Sequence, residues 1–305
     1  MSLLPWHKNA AQALTSRAAD GRLPHALLLT APEGWGLHNL VNWLALHLLG
    51  QEADRPAEDL AHPDLRWIKP EGAIIPIDVI RSLVAFAVGT PQGGPCKVAV
   101  IADADHLNRS AANALLKTLE EPPAGTYLLL TSSHPGRLPP TVRSRCQVVN
   151  LRPDAELARR WLQETVVADD LALRMFEHGG APIAVADGIA EGEVPLEGLL
   201  AQALSIRQPE TLIQPLLEQG LVGVTGRWFR HVVALTAGSD AHPAVTGLPA
   251  GLPVRLSAER LSAFATELLW VRRQLVSSNS ANERLLAERL LHSWRELGRQ
   301  APVTA

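Results

Sequence analysis

Short apolar runs alternate with amphipathic stretches in the first half of the chain. Four runs have the length of strands and little alternation of polar and apolar positions: residues 26–30, 98–101, 127–131 and 147–151. Strands buried on both faces of a parallel sheet have this pattern, and helices connect such strands. The stretch 37–49 has the amphipathic pattern of one such helix. We therefore predict an α/β domain with a doubly wound parallel sheet over residues 1–150.

The second half has the pattern of an all-helical region. Four stretches have the apolar spacing of helices: residues 154–163, 170–178, 257–276 and 282–297. The segment 237–253 is rich in Gly and Pro, which predicts a loop. We predict a small helical domain over residues 151–195 and a helical bundle over residues 196–305.

The last predicted helix carries a stripe of mostly apolar side chains. The stripe consists of Leu285, Leu286, Arg289, Leu290 and Trp294. Such a stripe is more often core packing within its own bundle than a surface for a partner. If the bundle also assembles with other chains, part of the stripe is expected to face a neighbouring subunit.

Composition and cysteine content indicate a soluble cytoplasmic protein. Of the 305 residues, 47% are hydrophobic and 19% are charged, which is ordinary for a globular chain. The N-terminus lacks the pattern of a secretory signal, and no apolar run has the length of a membrane span. Cys96 and Cys146, the two cysteines, cannot form a disulfide framework or a four-thiolate zinc site by themselves.

The net charge argues against DNA binding as the main task of this chain. Proteins whose main task is to grip DNA usually carry a surplus of basic residues that displaces counterions. This chain has a formal net charge of −3. Contact with DNA is therefore expected to be local or shared with partners.

A strand, a glycine-containing turn and a helix follow one another near the N-terminus, as in phosphate-binding loops. A working loop has the sequence G-x-x-x-x-G-K-[ST], in which the Lys neutralises phosphate charge and the hydroxyl binds magnesium. Here Gly34 and Gly36 lie in the turn, but Ala31 replaces the first Gly, Leu37 the Lys and His38 the hydroxyl residue. Leucine cannot offset phosphate charge, and imidazole is a poor magnesium ligand. Taken alone, the segment is better explained as an ordinary turn before a helix.

The predicted strand 98–101 also ends in altered residues. In active ATPases of this kind, an Asp-Glu pair at this place holds magnesium and orients water. Ala102 and Asp103 occupy the two positions, so the metal-binding carboxylate is missing and Asp103 is too short to replace a Glu base. Leu37, His38 and Ala102 thus change three catalytic positions, which argues against ATP hydrolysis.

A group of motifs between residues 110 and 151 gives the strongest indication of a family. The sequence NALLKTLEEPP at 113–123 is followed by a predicted strand, by Leu-Pro at 138–139, and by Ser-Arg-Cys at 144–146. By itself the first motif is an ordinary amphipathic helix ended by two prolines. In this order and spacing, the motifs resemble those of bacterial clamp-loader subunits, which belong to the AAA+ class.

RLPHALLL at 22–29 and ANERLLAERLLHSW at 281–294 also resemble the delta-prime subunits of the DNA polymerase III clamp loader, so the resemblance covers nearly the whole chain. It implies an AAA+ ATPase-like domain of the P-loop NTPase kind over 1–150 with a degenerate nucleotide site. It further implies a small helical lid over 151–195 and an all-α collar, used for oligomerisation, over 196–305.

The resemblance also implies a role for Arg145. In the family, the arginine of the Ser-Arg-Cys motif reaches across the subunit interface to ATP held by a neighbouring motor subunit, and Ser133 matches the sensor position. A guanidinium presents fixed donors to a γ-phosphate and offsets charge in the transition state, which is worth about 10³ to 10⁵ in rate. The alternative is that Arg145 pairs with a local carboxylate, as most arginines do.

Two departures from the family change what is expected. Active motor subunits have a nucleotide-sensing arginine in the lid, at the position where Ile183 stands here. Many members insert a four-cysteine zinc module between the first helix and the second strand, but residues 50–63 contain no cysteine. We therefore expect no metal and no functional cofactor, with His62 as a cap or surface residue and both cysteines as partly buried apolar side chains.

The leading hypothesis is a non-catalytic stator subunit whose Arg145 completes the ATP site of a neighbour. The implied partners are the motor subunits (gamma/tau), the delta subunit and, through the assembly, the sliding clamp and primer-template DNA; the isolated chain is expected to be a monomer. One alternative is an active AAA+ ATPase of DNA replication, such as a motor subunit or helicase loader, against which Leu37, His38 and Ala102 argue. Another is a DNA-binding scaffold that does not oligomerise, against which the net charge and the Ser-Arg-Cys motif argue.

Overall fold

The computed structural model describes residues 3–52, 55–72, 74–206, 208–237, 257–277 and 281–299. It divides into two compact units, Met1–Trp161 and Leu162–Ala305. The domain boundaries at residues 150 and 195 stay predictions. Apart from Ala237, the predicted loop 237–253 lies outside the described residues.

The first unit contains a five-stranded parallel sheet. Its strands are β1 (Ala26–Thr30), β2 (Leu65–Ile68), β3 (Lys97–Ile101), β4 (Thr126–Ser132) and β5 (Gln147–Asn150). Their order in the sheet is β2-β3-β4-β1-β5, and every neighbouring pair is parallel. The prediction of a parallel sheet is confirmed, and all four strands expected from apolar runs form. The edge strand β2 was not predicted.

Helices connect the strands of this sheet along the chain, and several of them share its core. Up to residue 165 they are α1 (Lys8–Ala19), α2 (Leu37–Leu48), α3 (Ile77–Val88), α4 (Arg109–Glu120), α5 (Pro140–Arg143) and α6 (Ala155–Thr165). Every residue of β1 and β3 is buried, as runs without alternation predict. Because all strands are parallel, the carboxyl ends of β1, β3 and β4 meet at one edge, where ligands bind in sheets of this type.

A buried carboxylate organises the segment that leads into β3. Asp64 is fully buried and accepts hydrogen bonds from the backbone N–H groups of Gln92 (2.7 Å), Gly93 (2.6 Å) and Gly94 (2.8 Å). Burial alone would raise the pKa of Asp64, but these hydrogen bonds outweigh that effect and lower it. One charged side chain thus fixes three consecutive backbone groups of the loop.

Replacing Asp64 with asparagine is expected to lower the free energy of unfolding by about 1.5–3 kcal/mol, because an amide group has one acceptor oxygen where the carboxylate has two. Urea unfolding at neutral pH measures this loss. The Asp64 contribution should be complete above the pKa of an unfolded Asp, about 3.9, and should disappear as the pH falls through the lower folded value. The control is Asp59→Asn, at an exposed carboxylate nearby; equal effects of the two variants would contradict the prediction.

The second unit is helical throughout its described residues. Its helices are α7 (Leu171–Glu177), α8 (Pro182–Ala190), α9 (Leu196–Ser205), α10 (Ile213–Glu218), α11 (Leu221–Thr236), α12 (Ala258–Ser277) and α13 (Glu283–Arg299). Trp228, Phe264 and Trp294 form the centre of the core, with ring centroids 5.4–5.6 Å apart. The Trp294 indole N–H donates to the Leu200 carbonyl at 3.1 Å. No described helix in either unit is long and apolar enough to cross a membrane.

The stripe on α13 is mainly core. Leu290 and Trp294 are fully buried, and the partly buried Leu286 packs against the same core. Leu285, by contrast, is 61% exposed. Arg289 lies over the Trp270 ring of α12, 4.8 Å from its centroid, and Trp270 is itself 43% exposed. That part of the stripe on α13 faces a neighbouring subunit stays a prediction.

A buried charged cluster joins three helices of this unit. The fully buried Glu177, at the end of α7, accepts the backbone N–H of Leu196 at the start of α9 (2.8 Å). His231 Nε2 lies 2.9 Å and Arg227 Nη1 3.4 Å from its carboxylate, and both side chains come from α11. Arg227 also pairs with Glu193 at 2.9 Å. The cluster therefore ties α7 to α9 and α11 through one carboxylate.

Candidate functional site

The turn between β1 and α2 has the strand-turn-helix form predicted from the sequence. Gly34 and Gly36 both have positive φ, 75° and 73°, and Gly36 is the N-terminal cap of α2. A Cβ atom on Gly36 would collide with the Leu4 side chain, so this position needs glycine for its backbone conformation and for space. The N-terminal segment therefore lies directly against the turn.

An aromatic cover, which we define as Leu4, Trp6, His7 and Trp35, closes this part of the turn. The Trp6 indole N–H donates to the Trp35 carbonyl at 3.0 Å. The two indole rings meet edge to face with centroids 5.8 Å apart, and Trp161 contacts Trp6 in the same manner at 5.5 Å. Leu4 and Trp35 are about 95% buried, with 5% of their surface exposed. Apolar side chains thus pack beside the backbone that would approach phosphates in a working loop.

His7 supplies no positive charge to this cover. Its ring is fully buried, and among the described residues neither ring nitrogen has a hydrogen-bond partner. Burial lowers the pKa of His7 to about 4, with a smaller opposing effect from the Trp35 backbone. The imidazole is therefore neutral at physiological pH.

The two residues in place of the Lys and hydroxyl residues of a working loop are engaged within the protein. Leu37 is buried at the start of α2. His38 Nε2 lies 3.0 Å from Glu58 Oε1, and its ring packs edge to face on Trp67. Lys69 Nζ is 3.6 Å from the same Glu58 carboxylate. Glu58 thus engages His38 and offsets part of the positive charge of Lys69.

The carboxyl end of β3 lies near this turn. Ala102 is buried and donates its backbone N–H to the Ile68 carbonyl. Asp103 has φ 49°, the only positive φ of a non-glycine residue in the described chain, and its N–H donates to Thr131 Oγ1 at 2.9 Å. Burial raises the pKa of Asp103, Asp105 adds to this, and His38 is close enough to oppose it. The structure therefore brings the predicted positions of the turn and the strand end together.

The polar contact at the end of β4 comes from Ser132. Its hydroxyl is fully buried, donates to Asp105 Oδ1 at 2.7 Å and accepts the backbone N–H of His134 at 3.1 Å. The predicted sensor residue Ser133 is half-buried and follows the last strand residue. Sequence reasoning missed Ser132 and Asp105. The alternation of side chains along β4 could have found Ser132 only if the end of the strand were known, and Asp105 lies in the turn Ala104–His106, where no alternation marks it.

Arg145 lies in the turn between α5 and β5. Its Nε donates to Glu120 Oε1 at 2.7 Å, and its Nη1 donates to the Thr141 carbonyl at 2.9 Å. About a third of the side chain, 34%, is exposed. Within this chain the guanidinium thus has the local carboxylate partner that was the alternative interpretation, and it remains at the surface. The role of Arg145 toward a neighbouring ATP stays a prediction.

The remaining predicted positions are Ile183, His62 and the two cysteines. Ile183 is half-buried near the start of α8. His62 Nδ1 accepts the backbone N–H of Asp64 at 3.1 Å. Cys96 is buried and Cys146 half-buried, and neither is in a disulfide. Among the residues that the structure describes, no group of three or more His, Cys, Asp or Glu side chains could hold a metal ion.

Comparisons with known proteins identify the family. Residues 6–155 match the family described as "DNA polymerase III, delta subunit". "DNA polymerase III subunit delta'" of Escherichia coli K12 is 31% identical, and the match covers 95% of each chain. The protein of the same name from Pseudomonas aeruginosa is 38% identical over 59% of this chain and 60% of its own.

Among solved structures, the crystal structure of a DNA polymerase III gamma subunit-related protein from Thermotoga maritima has the same fold. Its TM-score is 0.52 at 20% sequence identity, and the match covers 93% of this chain and 99% of that one. This likeness concerns the fold alone. Together with the five-stranded parallel sheet, it confirms the predicted fold class, an α/β domain with a parallel sheet followed by helices.

Proposed function

The chain belongs to the DNA polymerase III delta-prime family, and from this premise we propose that it is a non-catalytic stator subunit of a clamp loader. In this role it supports the ATP-dependent loading of a sliding clamp on primed DNA, together with gamma/tau motor subunits and a delta subunit. It holds no ATP of its own, and Arg145 completes the ATP site of a neighbouring motor subunit. The observation that carries the proposal is that Leu37, in place of the phosphate-binding lysine, is buried while Arg145 remains at the surface.

The region around the turn supports the absence of an ATPase in this chain. A triphosphate needs cations and free backbone donors, and magnesium needs oxygen ligands. The aromatic cover packs against Gly36, and its one imidazole, His7, is neutral at physiological pH. His38 faces Glu58, and Ala102 offers no carboxylate. An active AAA+ ATPase, the alternative, would have to bind ATP and magnesium despite each of these features.

The surroundings of Arg145 support a role outside this chain. Its ion pair with Glu120 is partly exposed on both sides, and such pairs contribute about 0–1 kcal/mol. A γ-phosphate carries more charge than one carboxylate and accepts parallel hydrogen bonds from a guanidinium. The local pairing therefore does not prevent Arg145 from serving a phosphate on a neighbouring subunit.

Reconstitution tests the proposal. Motor and delta subunits, the clamp and primed DNA are combined with and without this chain, and clamp loading and ATP turnover are measured beside the turnover of the chain alone. We expect loading to depend on the chain and the chain alone to hydrolyse no ATP. Hydrolysis by the chain alone would establish the active-ATPase alternative. Loading that proceeds equally without the chain would contradict the stator role.

ATP is expected to leave the thermal unfolding of the isolated chain unchanged. A ligand that binds only the folded state stabilises it by RT ln(1 + [L]/Kd), which is about 2.7 kcal/mol at a hundredfold excess over Kd. Unfolding is followed in millimolar ATP and magnesium, with an isolated motor subunit as the positive control. An upward shift of Tm in this chain, similar to that of the motor subunit, would contradict the closed-site interpretation.

A further inference from the structure

We propose that Glu120 is a latch for Arg145. Before assembly, the Glu120 carboxylate holds the guanidinium of Arg145 on the chain's own surface. The nucleotide of the neighbouring subunit must then compete with Glu120 for this guanidinium. The inference rests on the proposed function of Arg145 and adds a regulatory residue to the same site. The proposal follows from the hydrogen bonds that the N–H groups of the guanidinium already make within the chain.

The contacts of Arg145 leave few donors for a phosphate. A guanidinium has five N–H groups. Nε and Nη2 both face Glu120 Oε1, while Nη1 donates to the Thr141 carbonyl and lies 3.4 Å from Ser144 Oγ. A phosphate is bound best by two parallel N–H groups. At least the contact with Glu120 must therefore be given up before Arg145 can make such a pair.

The pair has the geometry of a contact that can be exchanged. Both nitrogens approach the same carboxylate oxygen, which is weaker than the two parallel bonds of a fork-to-fork pair. The side chains are 34% and 49% exposed, so water and salt screen their attraction. A contribution of up to about 1 kcal/mol corresponds to a bias of about fivefold toward the held state. The latch therefore tunes the nucleotide response and does not block it.

The position of Glu120 indicates that this carboxylate does not serve the helix that carries it. Glu120 is the last residue of α4, and a negative charge at a helix C-terminus is unfavourable. The helix is anchored elsewhere, by the Asn108 cap at its start and by the buried Leu115 and Leu119 on its inner face. The partner that Glu120 has in the structure is Arg145.

The test uses the reconstituted loader with Glu120→Gln in this chain and measures ATP turnover against ATP concentration. The glutamine removes the charge and keeps the shape. In the wild type, only the fraction of chains whose Arg145 is released from Glu120 can engage ATP, and the apparent affinity for ATP is lowered by that fraction. In the variant, half-maximal turnover should therefore occur at about two- to fivefold lower ATP concentration, with maximal turnover unchanged. The difference should shrink as salt is raised. Glu121→Gln, one residue further along, removes an exposed carboxylate without an ion pair in the described chain and should behave as wild type.

Arg145→Ala in the same assay separates the latch from the proposed function. If Arg145→Ala abolishes stimulated turnover and Glu120→Gln leaves the half-maximal ATP concentration unchanged, the latch is wrong and the role of Arg145 stands. If Glu120→Gln lowers maximal turnover instead, Glu120 positions Arg145 for catalysis and the latch is again wrong. If Arg145→Ala changes nothing, the role of Arg145 fails and the latch with it.

Discussion

Replacing Arg145 with alanine is expected to reduce ATP hydrolysis at the neighbouring motor site by about 10³ to 10⁵. The guanidinium would offset the negative charge that develops as the γ-phosphate is transferred, and the alanine side chain carries no charge that could replace it. Assembly of the loader should be unchanged, because the pair with Glu120 is a surface contact worth at most about 1 kcal/mol. The measurement is turnover by a loader in which only that motor site can hydrolyse ATP, with assembly followed by gel filtration.

Two further variants sharpen this prediction. Arg145→Lys keeps the positive charge but loses the planar fork of donors, so it should restore only a small part of the activity. Arg137→Ala, at an exposed arginine of the same unit, should leave turnover unchanged. An assembled loader that hydrolyses ATP normally with Arg145→Ala would remove the catalytic role from this residue while leaving the stator role possible.

Replacing Glu177 with glutamine is expected to destabilise the second unit by about 3–5 kcal/mol, the usual effect of removing one partner of a buried ion pair. Arg227 is 2% exposed and would keep its charge, with Glu193 as the remaining carboxylate. The amide would also weaken the hydrogen bond from the Leu196 N–H at the start of α9. Because Glu193 compensates part of the charge, we expect a value near the lower end of the range. Chemical unfolding measures it.

The pH dependence of the same cluster has a definite direction. Burial alone would raise the pKa of Glu177, but the His231 hydrogen bond and the Leu196 N–H outweigh it, so the pKa is lowered. The stabilisation is therefore present above the pKa of an unfolded Glu and is lost as the pH falls through the lower folded value. The matched control is the exposed Glu191→Gln, which should change stability by less than about 0.5 kcal/mol. If Glu177→Gln lowers the free energy of unfolding no more than this control does, the cluster contributes no net stability.

The parallel sheet could be predicted because its central strands are buried on both faces. The runs at β1 and β3 contain almost only apolar residues, so neither helix periodicity nor alternation competes with the assignment. The edge strand β2 was missed since it has four residues, and the exposed Arg66 interrupts its apolar pattern. Edge position alone does not hide a strand, since β5, at the other edge of the sheet, was predicted.

The candidate site could be predicted where it depends on local motifs and not where it depends on tertiary contacts. The altered residues Leu37, His38 and Ala102 are visible by spacing alone. The pairing of Arg145 with Glu120 joins side chains 25 positions apart and could be considered only as an alternative. The Glu177–His231 contact spans 54 positions, and no local pattern marks either residue. Such contacts follow from helix packing, which a single sequence does not specify.

The state of the two cysteines has a practical consequence. Burial raises the pKa of both Cys96 and Cys146 to about 11. At neutral pH only about one thiol in 10⁴ is then ionised, and the thiolate is the form that reacts with alkylating agents. A cysteine introduced on an exposed surface would be ionised far more often and would react first. Fluorophores or spin labels could thus be attached to one chosen position of the native chain without first removing its own cysteines.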